Sequence, residues 1–210
     1  MISEEQLREM RCERHTEWVE KILHDSSVAV AGLGGLGSHV AFALTRVGVG
    51  KLILIDFDTV DISNLNRQEY RIQHIGLPKT EALREQLLEI NPYMEIETHF
   101  IKMDEENAAP LLEGADVICE AFDSPEAKSM LVDVVLSELP EKYLVAGSGM
   151  AGYESSNTIQ TERVTSHFYL CGDKVSGIEQ GMSLMAPRVA VCAAHEANMI
   201  VRILLERKEV

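Results

Sequence analysis

A glycine-rich turn holds the first residues with a type and spacing that could do chemistry. Gly32-Leu-Gly34-Gly35-Leu-Gly37 follows a short apolar run and opens a predicted helix. Glycines in this G-x-G-x-x-G pattern permit a tight turn and let backbone N–H groups approach a phosphate at the helix N-terminus. Asp56 ends the next apolar run, where an acidic residue can bind ribose hydroxyls. The pattern alone is typical of a dinucleotide site, so NAD or FAD stays open at this point.

The polar segment over residues 56–68 favours a triphosphate. It carries the carboxylate of Asp58, the amide of Asn64 and the guanidinium of Arg67 close behind a predicted strand. Lys79 comes at the start of a predicted helix, where the helix dipole disfavours a cation. A lysine there indicates a nearby anion, and a triphosphate has enough negative charge to occupy both cations.

Strands that alternate with helices must position these residues. The predicted strands cover 27–31, 51–55, 95–101, 116–120 and 142–146, and the predicted helices cover 36–47, 78–90, 105–113 and 125–139. This alternation predicts a Rossmann-like, doubly wound, mostly parallel α/β sheet that binds ligands beyond the carboxyl ends of its strands. We expect one further amphipathic helix over 3–24. An added antiparallel part and a C-terminal helix follow the parallel strands, at 158–163, 166–170 and 189–205.

Composition narrows the class of protein. The 19 Lys and Arg against 34 Asp and Glu give a formal net charge of −15, which disfavours general binding to nucleic acid or an anionic membrane. The charged N-terminus does not resemble a signal peptide, no apolar run reaches the roughly 20 residues that span a bilayer, and the cysteines form no C-x-x-C pair. We therefore expect one cytoplasmic domain over 1–210 without a zinc site.

Several motifs in chain order resemble the ThiF/MoeB/HesA superfamily of ubiquitin-activating-type adenylyltransferases. They read GLGGLGS, DFDTVDISNLNRQ, GLPKTEAL and MAPRV, and the resemblance extends from Arg11 to Leu205. EAFDSPEAKSML and SGMAGYESSNT make the chain most similar to the short ThiF subgroup that lacks the zinc module. The resemblance implies a homodimer that uses Mg-ATP to adenylate the C-terminal glycine of a ThiS-like, ubiquitin-fold sulfur carrier protein for thiamine thiazole synthesis.

The resemblance also implies which residues bind ATP. The backbone of Gly32, Gly34 and Gly37 would contact the phosphates. The side chain of Asp56 would bind the ribose hydroxyls, and Asp58 lies in the same acidic turn. The triphosphate would be contacted by Asn64, Arg67 and Lys79. Arg67 and Lys79 would also be catalytic, because they offset negative charge while a carboxylate attacks the α-phosphate.

Three residues outside these motifs receive roles from the resemblance. Asp123 matches an acid that helps to hold Mg²⁺, and it counts among the catalytic candidates. Arg14 matches an arginine that reaches into the partner subunit's site, and it is also a catalytic candidate. Lys128 stands where many members carry an arginine, so we expect an ATP contact without the bidentate fork of a guanidinium.

The thiol chemistry of some members has no clear counterpart in this chain. Those members carry a cysteine shortly before the MAP-like segment, where this chain has Glu179 or Gln180. Cys171 lies nearby and would act in sulfur transfer only if its thiol were exposed and its pKa lowered. A structural cysteine is the favoured interpretation.

Three alternatives remain beside carrier adenylation. A relative that dehydrates a threonylcarbamoyl group on tRNA also has a lysine five residues after its aspartate, as Lys128 follows Asp123, but the net charge of −15 disfavours tRNA. An NAD-binding oxidoreductase would leave Asn64, Arg67 and Lys79 unexplained. A degenerate, non-catalytic binding partner is disfavoured because the ATP-binding set is nearly complete.

Overall fold

A seven-stranded sheet forms the centre of the computed structural model, which describes residues 2–178 and 183–210. The strands are β1 (Ser27–Ala31), β2 (Lys51–Asp56), β3 (Glu95–Phe100), β4 (Val117–Glu120), β5 (Tyr143–Gly147), β6 (Gln160–Arg163) and β7 (Phe168–Gly172). Their order is β3-β2-β1-β4-β5-β7-β6, and all neighbours are parallel except the antiparallel pair β6–β7. The predicted mostly parallel sheet with an antiparallel C-terminal part is confirmed.

Helices cover both faces of the sheet. They are α1 (Glu4–His15), α2 (Glu17–His24), α3 (Gly35–Val47), α4 (Lys79–Ile90), α5 (Ala108–Leu112), α6 (Pro125–Glu138) and the C-terminal α7 (Ala186–Leu204). Successive residues of a strand point to opposite faces, and β1 follows this rule. Val28 and Val30 join a core with α3, α4 and α7, whereas Ala29 and Ala31 join one with α5 and α6.

The single helix expected over 3–24 is wrong, because the chain breaks at Thr16. Thr16 has a φ of 85° and separates α1 from α2. The buried Glu20 pairs with Arg8 at 3.1 Å and with Arg11 at 3.5 Å. In a continuous helix, residues 8 and 20 would lie about 18 Å apart, which is too far for an ion pair. The break therefore folds α1 back onto α2 and closes this buried cluster.

Two further boundaries differ from the expectation. α5 starts at Ala108 because the side chain of Asp104 accepts hydrogen bonds from the backbone of Glu106 and Asn107, which holds a turn before the helix. Cys171 lies inside β7 rather than in a loop. Glu179 and Gln180 lie outside the described residues.

No helix in the described ranges is long and apolar enough to cross a membrane.

Candidate nucleotide site

The glycine turn joins β1 to α3 and is closed by contacts that exclude larger residues. Gly32 has a φ of +91°, and a methyl group added there would lie 2.8 Å from the backbone of Ala121. A methyl group at Gly37 would lie 1.9 Å from the carbonyl oxygen of Gly32. At Gly34 the nearest atom to such a methyl would be Nε2 of Gln68, at 3.7 Å. Gly32 and Gly37 thus shape the turn, whereas a small side chain at Gly34 would meet only an ordinary contact.

Asp56, at the end of β2, fixes the glycine turn by hydrogen bonds to the backbone. Its Oδ2 accepts a hydrogen bond from the Leu33 N–H at 2.7 Å, and its Oδ1 accepts one from the Asp58 N–H at 2.8 Å. Burial raises the pKa of Asp56, while the charge of Lys79 and the two backbone N–H groups oppose that rise. Each carboxylate oxygen can accept more than one hydrogen bond, so the arrangement fits the predicted ribose contact.

Lys79, in the first turn of α4, lies beside the acids, a contact that the sequence analysis did not predict. Its buried Nζ lies 2.7 Å from Oδ2 of Asp58 and 4.0 Å from Oδ2 of Asp56. The two carboxylates already give the lysine an anionic environment at this helix end. A cation at this helix end therefore does not by itself require a triphosphate, because Asp58 and Asp56 supply the negative charge.

Arg67 and Asn64 lie in the polar segment after β2, around a 3₁₀ helix over Ile62–Asn66. Arg67 packs against the glycine turn, since a methyl at Gly35 would lie 3.7 Å from its Cγ. Its Nη1 donates to Asn66 Oδ1 at 2.8 Å, and its Nε is buried with no partner in the described ranges. Oδ1 of Asn64 accepts from the Asp61 N–H at 2.9 Å, so this side chain caps the 3₁₀ helix. The predicted triphosphate contact of Asn64 must coexist with that cap.

Asp123 follows β4 and comes directly after Phe122, whose ring lies against Gly32 of the glycine turn together with the backbone of Ala121. The helix α6 is capped by the hydroxyl of Ser124, which accepts from the Ala127 N–H at 3.2 Å. Asp123 is exposed and is not needed for that cap. Its carboxylate fits the predicted role beside a nucleotide-bound Mg²⁺, because hard cations prefer oxygen ligands. Within the described residues no cluster of three or more His, Cys, Asp or Glu side chains could hold a metal ion by itself.

Arg14 is exposed on α1, which is not part of the edge that carries the other candidates. The neighbouring Arg11 is the buried arginine of this helix, and its side chain packs against Gly48 at the end of α3. A role for Arg14 in the nucleotide site therefore remains a prediction that requires a second copy of the chain.

Lys128 connects the ends of β4 and β5. Its Nζ donates to Oε1 and Oε2 of the buried Glu120, at 3.1 and 2.9 Å, and to the carbonyl oxygen of Gly147 at 2.9 Å. An ammonium group has three protons, so these bonds engage all of them. The predicted ATP contact of Lys128 would require one bond to be exchanged. The sequence analysis did not single out Glu120. The only signal in the sequence is that an acidic residue ends an apolar strand.

Glu196, in the middle of α7, was also missed. It is fully buried, neither carboxylate oxygen has a hydrogen-bond partner in the described ranges, and Oε1 lies against Gly147. Burial raises the pKa of Glu196 well above its usual range; the charge of Lys128 opposes the rise and that of Glu120 adds to it. Burial therefore favours the protonated, neutral form of this carboxyl.

Glu196→Gln is expected to stabilise the protein, increasingly as the pH rises from about 5 to 8. The folded state keeps Glu196 protonated, whereas the unfolded state ionises it above about pH 4.3, so wild-type stability falls through this window. Glutamine is neutral in both states. The difference in the free energy of unfolding between the variant and the wild type should therefore widen by at most about 1.4 kcal/mol per pH unit. Urea unfolding at several pH values checks this. The exposed Glu141→Gln is the control, and a gap independent of pH would contradict the prediction.

The condition for thiol chemistry at Cys171 is not met. Cys171 is buried in β7, and burial raises its pKa to about 12. Cys119 and Cys192 are buried as well, and burial raises the pKa of both thiols. Thiols of this kind are inert, which supports the structural interpretation.

A glycine turn after β1, an acid at the end of β2 and a basic edge between them define an α/β nucleotide-binding protein. The profile of the ThiF family matches residues 7–210, and the chain belongs to that family. Membership of the predicted superfamily is thereby confirmed.

Two relatives illustrate the family. The chain is 31% identical over 193 residues to a molybdopterin-synthase adenylyltransferase of Salmonella typhimurium, covering 88% of this chain and 75% of that protein. It is 42% identical over 115 residues to ubiquitin-like modifier-activating enzyme 5 of Caenorhabditis briggsae, covering 55% of this chain. The chain spans only 25% of the length of that second relative. The names of both relatives agree with the predicted class of enzyme.

A solved structure matches along nearly the whole chain. It is the E. coli tRNA N6-threonylcarbamoyladenosine dehydratase in complex with AMP, with a TM-score of 0.87 and 21% identity. The match covers 99% of this chain and 98% of that chain. At this identity the likeness establishes the shared Rossmann-like fold.

Proposed function

We propose that the chain is an ATP-dependent adenylyltransferase that activates the C-terminal carboxylate of a small, ubiquitin-fold sulfur carrier protein. The observation that carries the proposal is the placement of Asp56, Lys79 and Arg67 around one open glycine turn. This set offers a ribose acceptor and two cations beside a phosphate-sized space. The names of the family relatives support the same chemistry.

The reaction needs positioning and charge neutralisation rather than a general base. The carrier carboxylate is ionised at neutral pH and attacks the α-phosphorus. The bond from the α-phosphorus to the bridging oxygen breaks, pyrophosphate leaves, and an acyl-adenylate remains. Arg67 and Lys79 are placed to offset the negative charge that accumulates on the phosphates. Asp123 would hold Mg²⁺, which neutralises phosphate charge when bound.

A ThiS-like carrier and a role in thiamine thiazole synthesis are the specific form of this proposal. They rest on the resemblance of EAFDSPEAKSML and SGMAGYESSNT to the short ThiF subgroup. The same resemblance supports a homodimer in which Arg14 enters the partner subunit's site.

A second candidate is an ATP-dependent dehydratase that acts on a threonylcarbamoyl group of tRNA. The fold match along nearly the whole chain and the spacing of Asp123 and Lys128 favour it. The net charge of −15 weighs against a tRNA substrate. We rank it below carrier adenylation for that reason.

ATP–pyrophosphate exchange with purified protein and Mg²⁺ separates these possibilities. We expect exchange with a carrier that ends in Gly-Gly and none with a carrier that lacks the last glycine. ATP binding without exchange for any carrier would overturn the carrier proposal, and tRNA is then tested as substrate. Binding of NAD but not ATP would overturn the assignment as an adenylyltransferase.

A further inference from the structure

One buried guanidinium holds an exposed loop at the ligand edge of the sheet. The loop spans residues 148–158, follows β5 and is called the β5 loop below. Arg188, in the first turn of α7, is 4% exposed. Its Nη1 donates to the carbonyl oxygens of Glu154 and Ser155, each at 2.7 Å, and its Nη2 donates to Oγ1 of Thr158 at 3.1 Å. The far half of the β5 loop is therefore fixed by a single side chain.

Asp173 fixes the near half of the same loop. Its Oδ2 accepts from Nη2 of Arg188 at 2.5 Å. Its backbone N–H donates to the carbonyl oxygen of Gly149 at 2.9 Å, and the next N–H, of Lys174, donates to that of Ser148 at 3.0 Å. Arg188 and Asp173 thus tie both ends of the β5 loop to α7 and to the end of β7.

The first turn of α7 also contacts the glycine turn. A methyl group at Gly35 would lie 2.9 Å from Cγ1 of Val189, the residue that follows Arg188. Val189 therefore packs against the glycine turn, and the adjacent Arg188 holds the β5 loop. This arrangement fixes the distance between the loop and the place where ATP would bind.

Tyr153, within the β5 loop, has a ring that no core packing explains. It is 81% exposed, on a loop whose backbone is held by a buried cation. A large exposed aromatic on a fixed backbone costs little conformational entropy when it binds, which is why such residues dominate binding sites. The β5 loop that carries this ring follows β5 at the carboxyl edge of the sheet, and the first turn of α7 joins it to the glycine turn.

We propose that Arg188 is a positioning residue that holds the β5 loop so that Tyr153 packs against the C-terminal segment of the acyl substrate. The inference rests on the proposed function, because it takes that segment to be the carrier tail. Both residues act on the substrate side of the site and leave the ATP side unchanged.

Steady-state exchange assays and amide hydrogen exchange test the proposal together. Tyr153→Ala should raise the KM for the carrier about tenfold, with kcat and ATP affinity within twofold of wild type. Arg188→Met should raise the same KM and speed amide exchange over residues 148–158. The double variant should have the same KM for the carrier as Arg188→Met alone, because both changes remove the same contact between Tyr153 and the carrier. Phe100→Ala, at the opposite end of the sheet, and Arg202→Met, on the same helix, are the matched controls.

The outcomes are distinguishable. An unchanged carrier KM in Tyr153→Ala, or additive effects in the double variant, would overturn the inference while leaving the proposed function intact. Absence of exchange in wild type would overturn the proposed function and the carrier contact with it. If Arg188→Met does not fold, Arg188→Lys replaces it, and Tyr153→Ala still decides the contact because the side chain is exposed.

Discussion

Lys79→Met is expected to lower carrier-dependent ATP–pyrophosphate exchange by roughly 10²–10³-fold, in line with the loss of one group that stabilises transition-state charge. Lys79 is the buried cation at the junction of the acids and the glycine turn. Methionine keeps the length of the side chain and fills the same space, so the first turn of α4 should stay packed. The exchange rate at saturating ATP and carrier is the measurement.

Asp58 provides the decisive control for this variant. If Lys79 served only to neutralise Asp58, the double variant Lys79→Met, Asp58→Asn would regain the rate, because the carboxylate nearest to the lysine would then be neutral as well. If Lys79 acts on the phosphates, the double variant should stay as slow as the single one. Lys21→Met, at an exposed position on α2, should exchange at the wild-type rate. Recovery in the double variant would contradict a catalytic role for Lys79.

Gly37→Ala is expected to destabilise the protein, whereas Gly34→Ala is expected to weaken ATP binding. A Cβ at Gly37 would lie 1.9 Å from the Gly32 oxygen, so the backbone must move, and we expect a loss of about 3 kcal/mol or more in the free energy of unfolding. A Cβ at Gly34 fits at 3.7 Å from Gln68 but occupies the phosphate space. Gly34→Ala should therefore keep wild-type stability and bind ATP at least tenfold more weakly.

Urea unfolding and titration calorimetry with ATP measure the two effects separately. Gly177→Ala is the matched control, because a Cβ there meets no atom of the described residues within 4 Å, and it should change neither quantity. Normal ATP affinity in Gly34→Ala would show that no phosphate enters this space. Wild-type stability in Gly37→Ala would contradict the close contact within the turn.

Sequence reasoning succeeded where a short pattern determines the geometry. The strand and helix order and the glycine turn follow from residues near one another in a regular repeat. It failed at Thr16, because a helix break that serves a tertiary ion pair leaves no local mark. Glu120 and Glu196 were missed for a related reason. Glu120 pairs with Lys128 on α6 and Glu196 lies against Gly147 of β5, whereas an acidic residue in an apolar pattern suggests solvent exposure.

The strand order also has a consequence for biosynthesis. β1 pairs with β4, so Val28 meets Val117, a residue added to the growing chain much later. Gly32 rests against Ala121, and Gly35 against Val189 near the last helix. A ribosome-bound chain that has completed the glycine turn still lacks the residues that close it. The glycine turn therefore gains its full set of packing contacts only once α7 has left the exit tunnel and docked.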